Sequence, residues 1–358
     1  MNLARLWTVA RLELLQRVRT VSWYILLGVF ALILIAVTGL AFLTFSGQDR
    51  WGPGVYSTVV YITLLLVILV SPTLSGNSIN GDRDAATLAP VQVTLVTTGE
   101  ILLGKFLAAW ITGLAFALVA VPFLLIATLS GGIEAATVIV SLAVLVVETG
   151  VIAAFGVALS GVIARPLFSV AATYLVVAAL AIGTVIGFGL VGASITSEAT
   201  SSYRTAQYGD DGPLCKDGAT TCWDDPENMI CEDWTQDTYD VPRYDRVWWM
   251  LAANPFVILA DATPTQFDRS GSPVDAFGYL KVGVRQLQMP PELETTYDEC
   301  APEQDQPYDT AQEIIAKTVP SWFVGLGVQL LLAAGLLVWA YVRTRTPARS
   351  LPPGTRIA

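Results

Sequence analysis

Six long apolar runs constrain this sequence more than any other feature. They lie at about 22–45, 55–75, 101–129, 134–164, 168–195 and 319–342. Each is long enough to cross roughly 30 Å of hydrocarbon as a helix that rises about 1.5 Å per residue. Only 14% of the 358 residues are charged and 54% are hydrophobic, whereas a soluble domain is about 25% charged. The sequence therefore predicts an all-α polytopic membrane protein with six transmembrane helices.

The segment before the first run has the pattern of a surface helix. Within residues 1–21, Leu3 and Leu14 fall on one face of a helical wheel, and Arg5 and Arg19 lie roughly opposite. We expect a cytoplasmic amphipathic helix in the headgroup layer, with a plain extension of the first span as the alternative. The following apolar run is about 24 residues, longer than the usual 7–15 of a cleaved signal, so we expect it to remain as the first span.

Positive charge is distributed unevenly between the two sides of the expected bundle. With the N-terminus inside, the inner segments hold eleven Lys and Arg residues, and the short outer loops hold only Arg50. Cytoplasmic loops carry the excess of Lys and Arg in membrane proteins. We therefore expect a multi-pass protein of the cell membrane with both termini cytoplasmic. Residues 22–195 would hold spans one to five, 319–342 the sixth span, and 343–358 a cytoplasmic tail.

Residues 196–318 form an acidic insertion between the fifth and sixth runs. They carry 23 Asp and Glu against 8 Lys and Arg, a net charge of −15, whereas the rest of the chain has a net charge of +5. In the expected topology this insertion is a large extracytoplasmic domain. An acidic solvated surface is the simplest interpretation, and attraction of cations is the alternative.

All four cysteines lie in the acidic insertion, at positions Cys215, Cys222, Cys231 and Cys300. Cysteines confined to the oxidising face of a membrane indicate disulfides. Among the three pairings that four cysteines allow, loop proximity favours Cys215–Cys222 and Cys231–Cys300. A metal site is the weaker interpretation, because the chain has no CxxC pair and no histidine. The missing histidine also removes Ser-His and Cys-His catalytic arrangements. We expect a chain that is not an enzyme. A catalytic membrane enzyme is the third hypothesis, because the external carboxylates are many but none is singled out by position.

One ionisable residue, Glu148, lies near the middle of the fourth run, where a charge is costly. It is either a polar point on a transport path, or a protonatable switch, or a neutral carboxyl group that ties two helices together by a hydrogen bond.

The acidic insertion contains one apolar stretch, residues 247–260, which is too short to span the membrane. It is interrupted by Asn254 and Pro255, and proline ends or kinks a helix. Trp248 and Trp249 suit a membrane interface. The stretch therefore predicts an external re-entrant element of two short helices, broken at Asn254-Pro255, that dip toward the outer leaflet.

The loop at residues 76–100 and the start of the third run contain a nucleotide-site pattern. Residues Gly99 to Lys105 fit GxxxxGK, but Phe106 stands where a phosphate-binding loop needs Ser or Thr. The stretch also opens an apolar helix instead of following a buried strand. We therefore expect no cofactor in this chain, and any ATP and magnesium would have to be bound by another chain.

The same residues resemble a pattern found between the second and third spans of many permeases of the type-2 class of ABC transporters, which are mostly exporters. That pattern reads roughly E-R-E-x-G-T-L-E-x-L-L-x-T-P-V-S-R-x-E-I-L-L-G-K. The residues in register with it, without a gap, are Asp82, Arg83, Asp84, Thr87, Leu88, Thr94, Val96 and Glu100 to Lys105. The sequence departs from the pattern at Ala86, Pro90, Gln92, Leu95 and Thr98. Pro90 is the most consequential departure, because it would end the first helix of the loop early.

This resemblance implies the membrane subunit of a bacterial ABC exporter, in which the loop is a coupling helix that seats in a cleft of a separate cytoplasmic ATPase. Thr87 and Leu88 would give the apolar contact. Ion pairs at its rim would come from Asp82, Arg83 and Asp84, and Glu100 with Lys105 would anchor the third span.

The resemblance also implies a dimer with a second permease copy, and Gly183 and Gly187 have the GxxxG spacing of a helix-packing face. Glycine is nevertheless common in membrane helices generally. Apolar spans suit an amphipathic or hydrophobic substrate, such as a drug, peptide or lipid. The alternative is a non-transporting envelope protein whose external domain binds or senses a ligand.

Overall fold

The computed structural model describes residues 2–47, 51–85, 96–129, 131–210, 212–218, 222–223, 225–301 and 309–345. Six helices in these ranges are long and apolar enough to cross a membrane. They are Val21–Phe45, Gly52–Asp84, Thr98–Val119, Ala135–Val162, Pro166–Ser194 and Trp322–Thr344. Each overlaps one predicted apolar run, which confirms the membrane class of the chain.

The helices are numbered in chain order. They are α1 (Leu3–Val18), α2 (Val21–Phe45), α3 (Gly52–Ser75), α4 (Asn80–Asp84), α5 (Thr98–Val119), α6 (Val121–Leu129), α7 (Ala135–Val162), α8 (Pro166–Ala178), α9 (Thr184–Ser194), α10 (Trp249–Ala252), α11 (Pro255–Ala262), α12 (Ala276–Gln286), α13 (Ala311–Lys317) and α14 (Trp322–Thr344). A π-helical stretch, Ala179–Gly183, joins α8 to α9, and short 3-10 helices lie at Pro226–Asn228 and Tyr244–Arg246.

The described chain divides into two compact units. The first, here called the helical unit, comprises Met1–Val185, Leu251–Val282 and Pro320–Ala358, and the second, called the sheet unit, comprises Ile186–Met250 and Gly283–Val319. Residues 251–282 of the acidic insertion therefore group with the helical unit.

The core of the helical unit is built around α7, which packs on α3, α5, α8 and α14. Large side chains such as Tyr56, Phe116 and Phe155 are fully buried there. The Tyr56 hydroxyl and the Ser141 hydroxyl lie 2.9 Å apart and share a hydrogen bond, so that the buried phenol is satisfied. The third predicted run is interrupted at Ala120, because the ring of Pro122 cannot continue the helical hydrogen bonding.

The predicted N-terminal helix is present as α1, and it packs against α5. The Asn2 side chain caps it by accepting a hydrogen bond from the Ala4 N–H at 3.0 Å. The two helices approach closely at Gly104, where a Cβ atom would lie 2.8 Å from Cβ of Val9. Leu3 and Trp7 remain exposed on the outer side of α1.

The expectation of an all-α chain is wrong in the sheet unit. Three strands, β1 (Thr196–Arg204), β4 (Thr235–Pro242) and β5 (Glu294–Asp298), form a sheet in the order β4-β1-β5, and β2 (Tyr208–Gly209) pairs with β3 (Gly212–Pro213). The β1–β4 pair is antiparallel and the β1–β5 pair is parallel. Thr, Ser and Tyr dominate β1. Thr and Tyr favour strands, and Ser is unfavourable inside a helix because its hydroxyl group competes for backbone hydrogen bonds. Only Ala199 of β1 is buried. The sequence of β1 therefore lacks the alternation of apolar and polar residues that predicts a half-buried strand.

The predicted disulfides are confirmed. Cys215 bonds to Cys222 and Cys231 bonds to Cys300, which leaves none of the four cysteines free. Ala206 and Met229 are buried beside them and complete a small core.

Candidate functional site

The predicted coupling residues that the structure describes lie at one end of the helical unit, where α3, α5, α7 and α14 begin or end. Arg83 is half-buried and directed toward its own chain. Its guanidinium donates to the Gly161 carbonyl oxygen at 3.1 Å and to Oγ1 of Thr344 at 3.4 Å. Arg83 thereby connects α4 to the last turns of α7 and α14. We call the region around these contacts the Arg83 end.

The turn between α3 and α4 is fixed by a hydroxyl group that sequence reasoning missed. Ser160 Oγ accepts hydrogen bonds from the N–H groups of Ile79 and Asn80, at 2.9 and 3.1 Å. Asn80 and Ser160 are fully buried. A buried backbone N–H group without a partner is costly, so this hydroxyl stabilises the turn that starts the loop.

Lys105 is buried, with 2% of its surface exposed, and it joins three helices. Its ammonium forms ion pairs with Glu13 of α1 and, at 2.8 Å, with Asp82 of α4. A buried ammonium is stable only when it is paired. These ion pairs join α5 to α1 and α4, and the anchoring role that the resemblance implies for Lys105 stays a prediction.

Glu100 anchors the other end of the loop. It forms a capping box with Thr97 at the start of α5, in which the carboxylate accepts the Thr97 N–H at 2.9 Å. The other carboxylate oxygen accepts the Asn2 N–H at 2.6 Å, which ties the first residues of the chain to α5. Glu100 is buried by these contacts.

Asp84 and Val96 lie near the two ends of the part of the loop that the structure does not describe. Asp84 is exposed and Val96 is half-buried. Thr87, Leu88 and Pro90, which the loop pattern singled out, lie outside the described residues.

The phosphate-loop pattern has no phosphate-loop geometry. Gly99 to Lys105 are helical and belong to α5, whose first turn begins with the Thr97 cap. A phosphate-binding loop presents successive backbone N–H groups around the ligand. Here the N–H groups of the helix interior are engaged in helical bonds, and the lysine is engaged in ion pairs.

Glu148 lies in the middle of α7 and is fully buried. Neither carboxyl oxygen has a hydrogen-bond partner among the described residues, and the Oε1 atom of Gln329 in α14 is also unpaired. The Gln329 side chain interacts with Glu148, and its amide nitrogen donates to the Ala253 carbonyl oxygen at 2.9 Å. A protonated carboxyl group would supply the one donor that Gln329 Oε1 lacks.

The predicted pair of short helices is present as α10 and α11, with the break at Asn254. The Asn254 side chain is buried and makes contacts in two directions. Its oxygen accepts the Phe256 N–H at 2.9 Å and caps α11, while its nitrogen donates to the Ala181 carbonyl oxygen at 2.8 Å and to Thr184 Oγ1 at 3.0 Å. Pro255 takes the first helical position, where no N–H group is needed.

The same short helices hold the start of α14. Asp261 accepts hydrogen bonds from the N–H groups of Ser321 and Trp322, at 2.6 and 3.0 Å, and so caps that helix. Gly325 passes so close to α10 that a Cβ atom would lie 1.7 Å from the Ala252 carbonyl oxygen. Sequence reasoning missed Asp261, because its partner lies about 60 residues further along the chain.

A cleft of about 780 Å³ opens beside the start of α12. Phe45, Asp268, Asp275 and Tyr279 contribute to its walls. Burial raises the pKa of Asp275 to about 6, against the lowering effects of the Gly278 N–H and the Lys281 charge. The sequence showed no pattern that distinguished Asp275 from the many other acidic residues of the insertion.

Comparison with models of protein families finds no match for this chain, and comparison with curated proteins finds none. A functional interpretation therefore depends on the loop pattern and on the geometry of the Arg83 end.

Proposed function

We propose that this chain is the membrane-spanning permease subunit of an ATP-driven exporter of the type-2 class of ABC transporters. The observation that carries the proposal is the gapless register of residues 82–105 with the loop pattern of such permeases. The six apolar helices and the helix that precedes them support it. ATP hydrolysis would take place in a separate cytoplasmic ATPase, and two copies of the permease would form the pore.

The contacts of the Arg83 end explain how force on the loop would reach the spans. The loop leaves the bundle at α4, which Arg83 attaches to α7 and α14. It returns at α5, which Lys105 and Glu100 attach to α1. Closure of an ATPase around the loop would therefore act on several spans together. Such a displacement would shift the balance between inward-open and outward-open states.

Among the described residues, the loop contact itself would use those that are exposed. Arg83 and Lys105 are occupied within the chain, whereas Asp84 is exposed. Leu88 would supply the apolar part of the contact, as the family pattern implies. Apolar helices favour an amphipathic or hydrophobic substrate, and outward transport is the direction that the resemblance implies.

The experiment is co-purification with the ATPase, which we would seek in a neighbouring reading frame with Walker A and B motifs. Leu88→Asp and Asp84→Arg should each weaken the complex roughly tenfold or more and reduce stimulated ATP turnover to match. Thermal unfolding of the permease alone should shift by no more than about 2 °C if the two side chains serve only the contact with the ATPase, and Asp84 is exposed.

Asp210→Arg, the same charge reversal at an exposed position of the sheet unit, is the matched control and should leave both readings unchanged. Full co-purification and full turnover in both loop variants would show that the loop is not the coupling element. Arg83→Glu is less suitable, because loss of its contacts to Gly161 and Thr344 would also disturb the permease.

The second candidate is a non-transporting envelope protein that senses a ligand through the sheet unit. The observation that favours it is a set of exposed aromatic side chains in that unit. They are Tyr208, Trp223, Trp234, Tyr239 and Tyr297. Absence of any ATPase that binds the purified permease would favour this alternative.

A further inference from the structure

A groove at the junction of α7 and α8 has no part in the proposed coupling. Its volume is about 500 Å³, and its walls are apolar except for one cation, Arg165. Phe168, Ala172 and Leu175 follow one another at helical spacing along its length. Ala172, with its small side chain, lies between the two larger residues in this series.

The groove opens away from the protein core. Phe168 and Leu175 are 58% and 71% exposed, and the neighbouring Leu167 is 78% exposed. These residues belong to a helix that is long and apolar enough to cross the membrane. Their exposed surface therefore faces lipid or another membrane-embedded chain, and not water.

Arg165 lies where the two spans meet, between the end of α7 at Val162 and the start of α8 at Pro166. A residue at the ends of two spans lies at the level of the lipid headgroups. Its guanidinium stacks over the Phe168 ring, 5.8 Å from the ring centre, which directs it toward the groove. No carboxylate among the described residues forms an ion pair with it, in contrast to Lys105.

We propose that this groove binds an anionic phospholipid, with the phosphate on Arg165 and an acyl chain along Ala172 and Leu175. Guanidinium groups bind phosphate oxygens in a bidentate geometry. Basic pockets between spans are suited to anionic headgroups. The apolar walls match an acyl chain and supply no polar group that would have to be desolvated.

Charge also argues against a second copy of this chain as the occupant. A twofold interface brings the same patch of both copies together. The groove contains a cation and no carboxylate, so a second copy packed with its own groove against this one would supply no counter-charge for Arg165. An anionic lipid neutralises the cation instead.

The test is native mass spectrometry of the purified full chain, titrated separately with phosphatidylglycerol and phosphatidylcholine. The wild-type protein should retain a first phosphatidylglycerol molecule at a lower lipid concentration than a first phosphatidylcholine molecule, by a factor of roughly five or more. Arg165→Gln should abolish that preference, and Ala172→Trp, which fills the groove, should remove the first bound lipid of either kind.

Arg19→Gln is the matched control, because Arg19 is an exposed arginine next to a span but not in the groove. Its preference should equal that of the wild type. An undiminished preference in Arg165→Gln, or an equal loss in Arg19→Gln, would overturn the proposal. A change from dimer to monomer in Ala172→Trp with no change in bound lipid would also overturn it, by assigning the groove to a second copy.

Discussion

At the scale of single residues, Lys105 and Glu148 are both buried in the helical unit but have different surroundings. Lys105 is paired with Glu13 and Asp82, so its charge is neutralised where it is buried. Glu148 interacts with the uncharged Gln329 and forms no ion pair among the described residues. An isolated buried carboxylate is far more costly than a neutral carboxyl group. This contrast favours the interpretation of Glu148 as a neutral group that links α7 to α14.

The depth of Glu148 was predictable from its position in an apolar run, but its partner was not. Gln329 lies in a helix that is remote in sequence, and only packing of α14 on α7 brings the two together. The inward direction of Arg83 was unpredictable for the same reason, since Gly161 and Thr344 are its partners.

Glu148→Gln and Glu148→Ala separate a structural role from a functional one. Glutamine retains a donor for Gln329 Oε1 and a similar volume, so its free energy of unfolding should change by less than about 1 kcal/mol. Alanine leaves a cavity and an unpaired amide oxygen, and should cost about 2–4 kcal/mol. Thermal or denaturant unfolding in detergent measures both changes.

ATPase stimulation in the reconstituted complex supplies the second reading for Glu148. A purely structural role predicts that Glu148→Gln keeps full stimulation. A stable Glu148→Gln variant that has lost stimulation would instead identify Glu148 as a protonatable switch or a point on the transport path.

At the scale of elements, the π-helical stretch between α8 and α9 meets the Asn254 cap. A π-helix replaces the regular i→i+4 backbone hydrogen bonds by i→i+5 bonds. Within this stretch the Ala181 carbonyl oxygen accepts a hydrogen bond from the Asn254 side chain. The helix break at Asn254-Pro255 was predictable from cap and proline chemistry. The π-helical stretch was not, because no proline occurs within Ala179–Gly183 and the feature coincides with a tertiary contact.

Asn254→Asp distinguishes a simple helix cap from a link between two elements. Aspartate is as good a cap as asparagine, so a cap alone would tolerate it. In this structure the carboxylate would lose both donated bonds and face the Ala181 carbonyl oxygen. We therefore expect Asn254→Asp to be as destabilising as Asn254→Ala, at about 2 kcal/mol each.

Unfolding in detergent is the measurement, and Thr184→Val is the control. That change removes only one acceptor of the Asn254 amide, so it should cost less than about 1 kcal/mol. Wild-type stability of Asn254→Asp would show that the contacts to the π-helical stretch and to Thr184 of α9 contribute nothing beyond the cap.

At the scale of the whole molecule, composition predicted the insertion but not its internal division. The concentration of acidic residues and cysteines in residues 196–318 marked a separate segment. The apolar stretch inside it holds α10 and α11, and residues 251–282 pack with the helical unit instead. The sheet was missed because its strands are polar on both faces, so their pairing depends on contacts such as the register of Arg204 with Asp298.

The contact between Arg204 and Asp298 joins β1 to β5 and could not be predicted from the sequence. The Arg204 guanidinium donates to Asp298 at 2.9 Å, and this hydrogen bond lowers the pKa of the Asp298 carboxyl group. The two residues lie on adjacent parallel strands, which are 94 positions apart in sequence. A pairing across that separation leaves no local pattern.

The two disulfides should contribute unequally to the stability of the sheet unit. Cys231–Cys300 closes a separation of 69 residues and Cys215–Cys222 one of 7. In the loop-closure model the longer loop loses more entropy in the unfolded chain, which corresponds to about 4 kcal/mol against about 2 kcal/mol.

Replacing both cysteines of a pair by serine should therefore reduce hydrogen-exchange protection of β1 more for the Cys231–Cys300 pair. Alkylation without reductant, followed by mass spectrometry, should label no cysteine in the wild type, because both disulfide bonds are expected to be intact. Equal losses of protection in the two double variants, or a larger loss for Cys215–Cys222, would contradict loop closure as the source of stability.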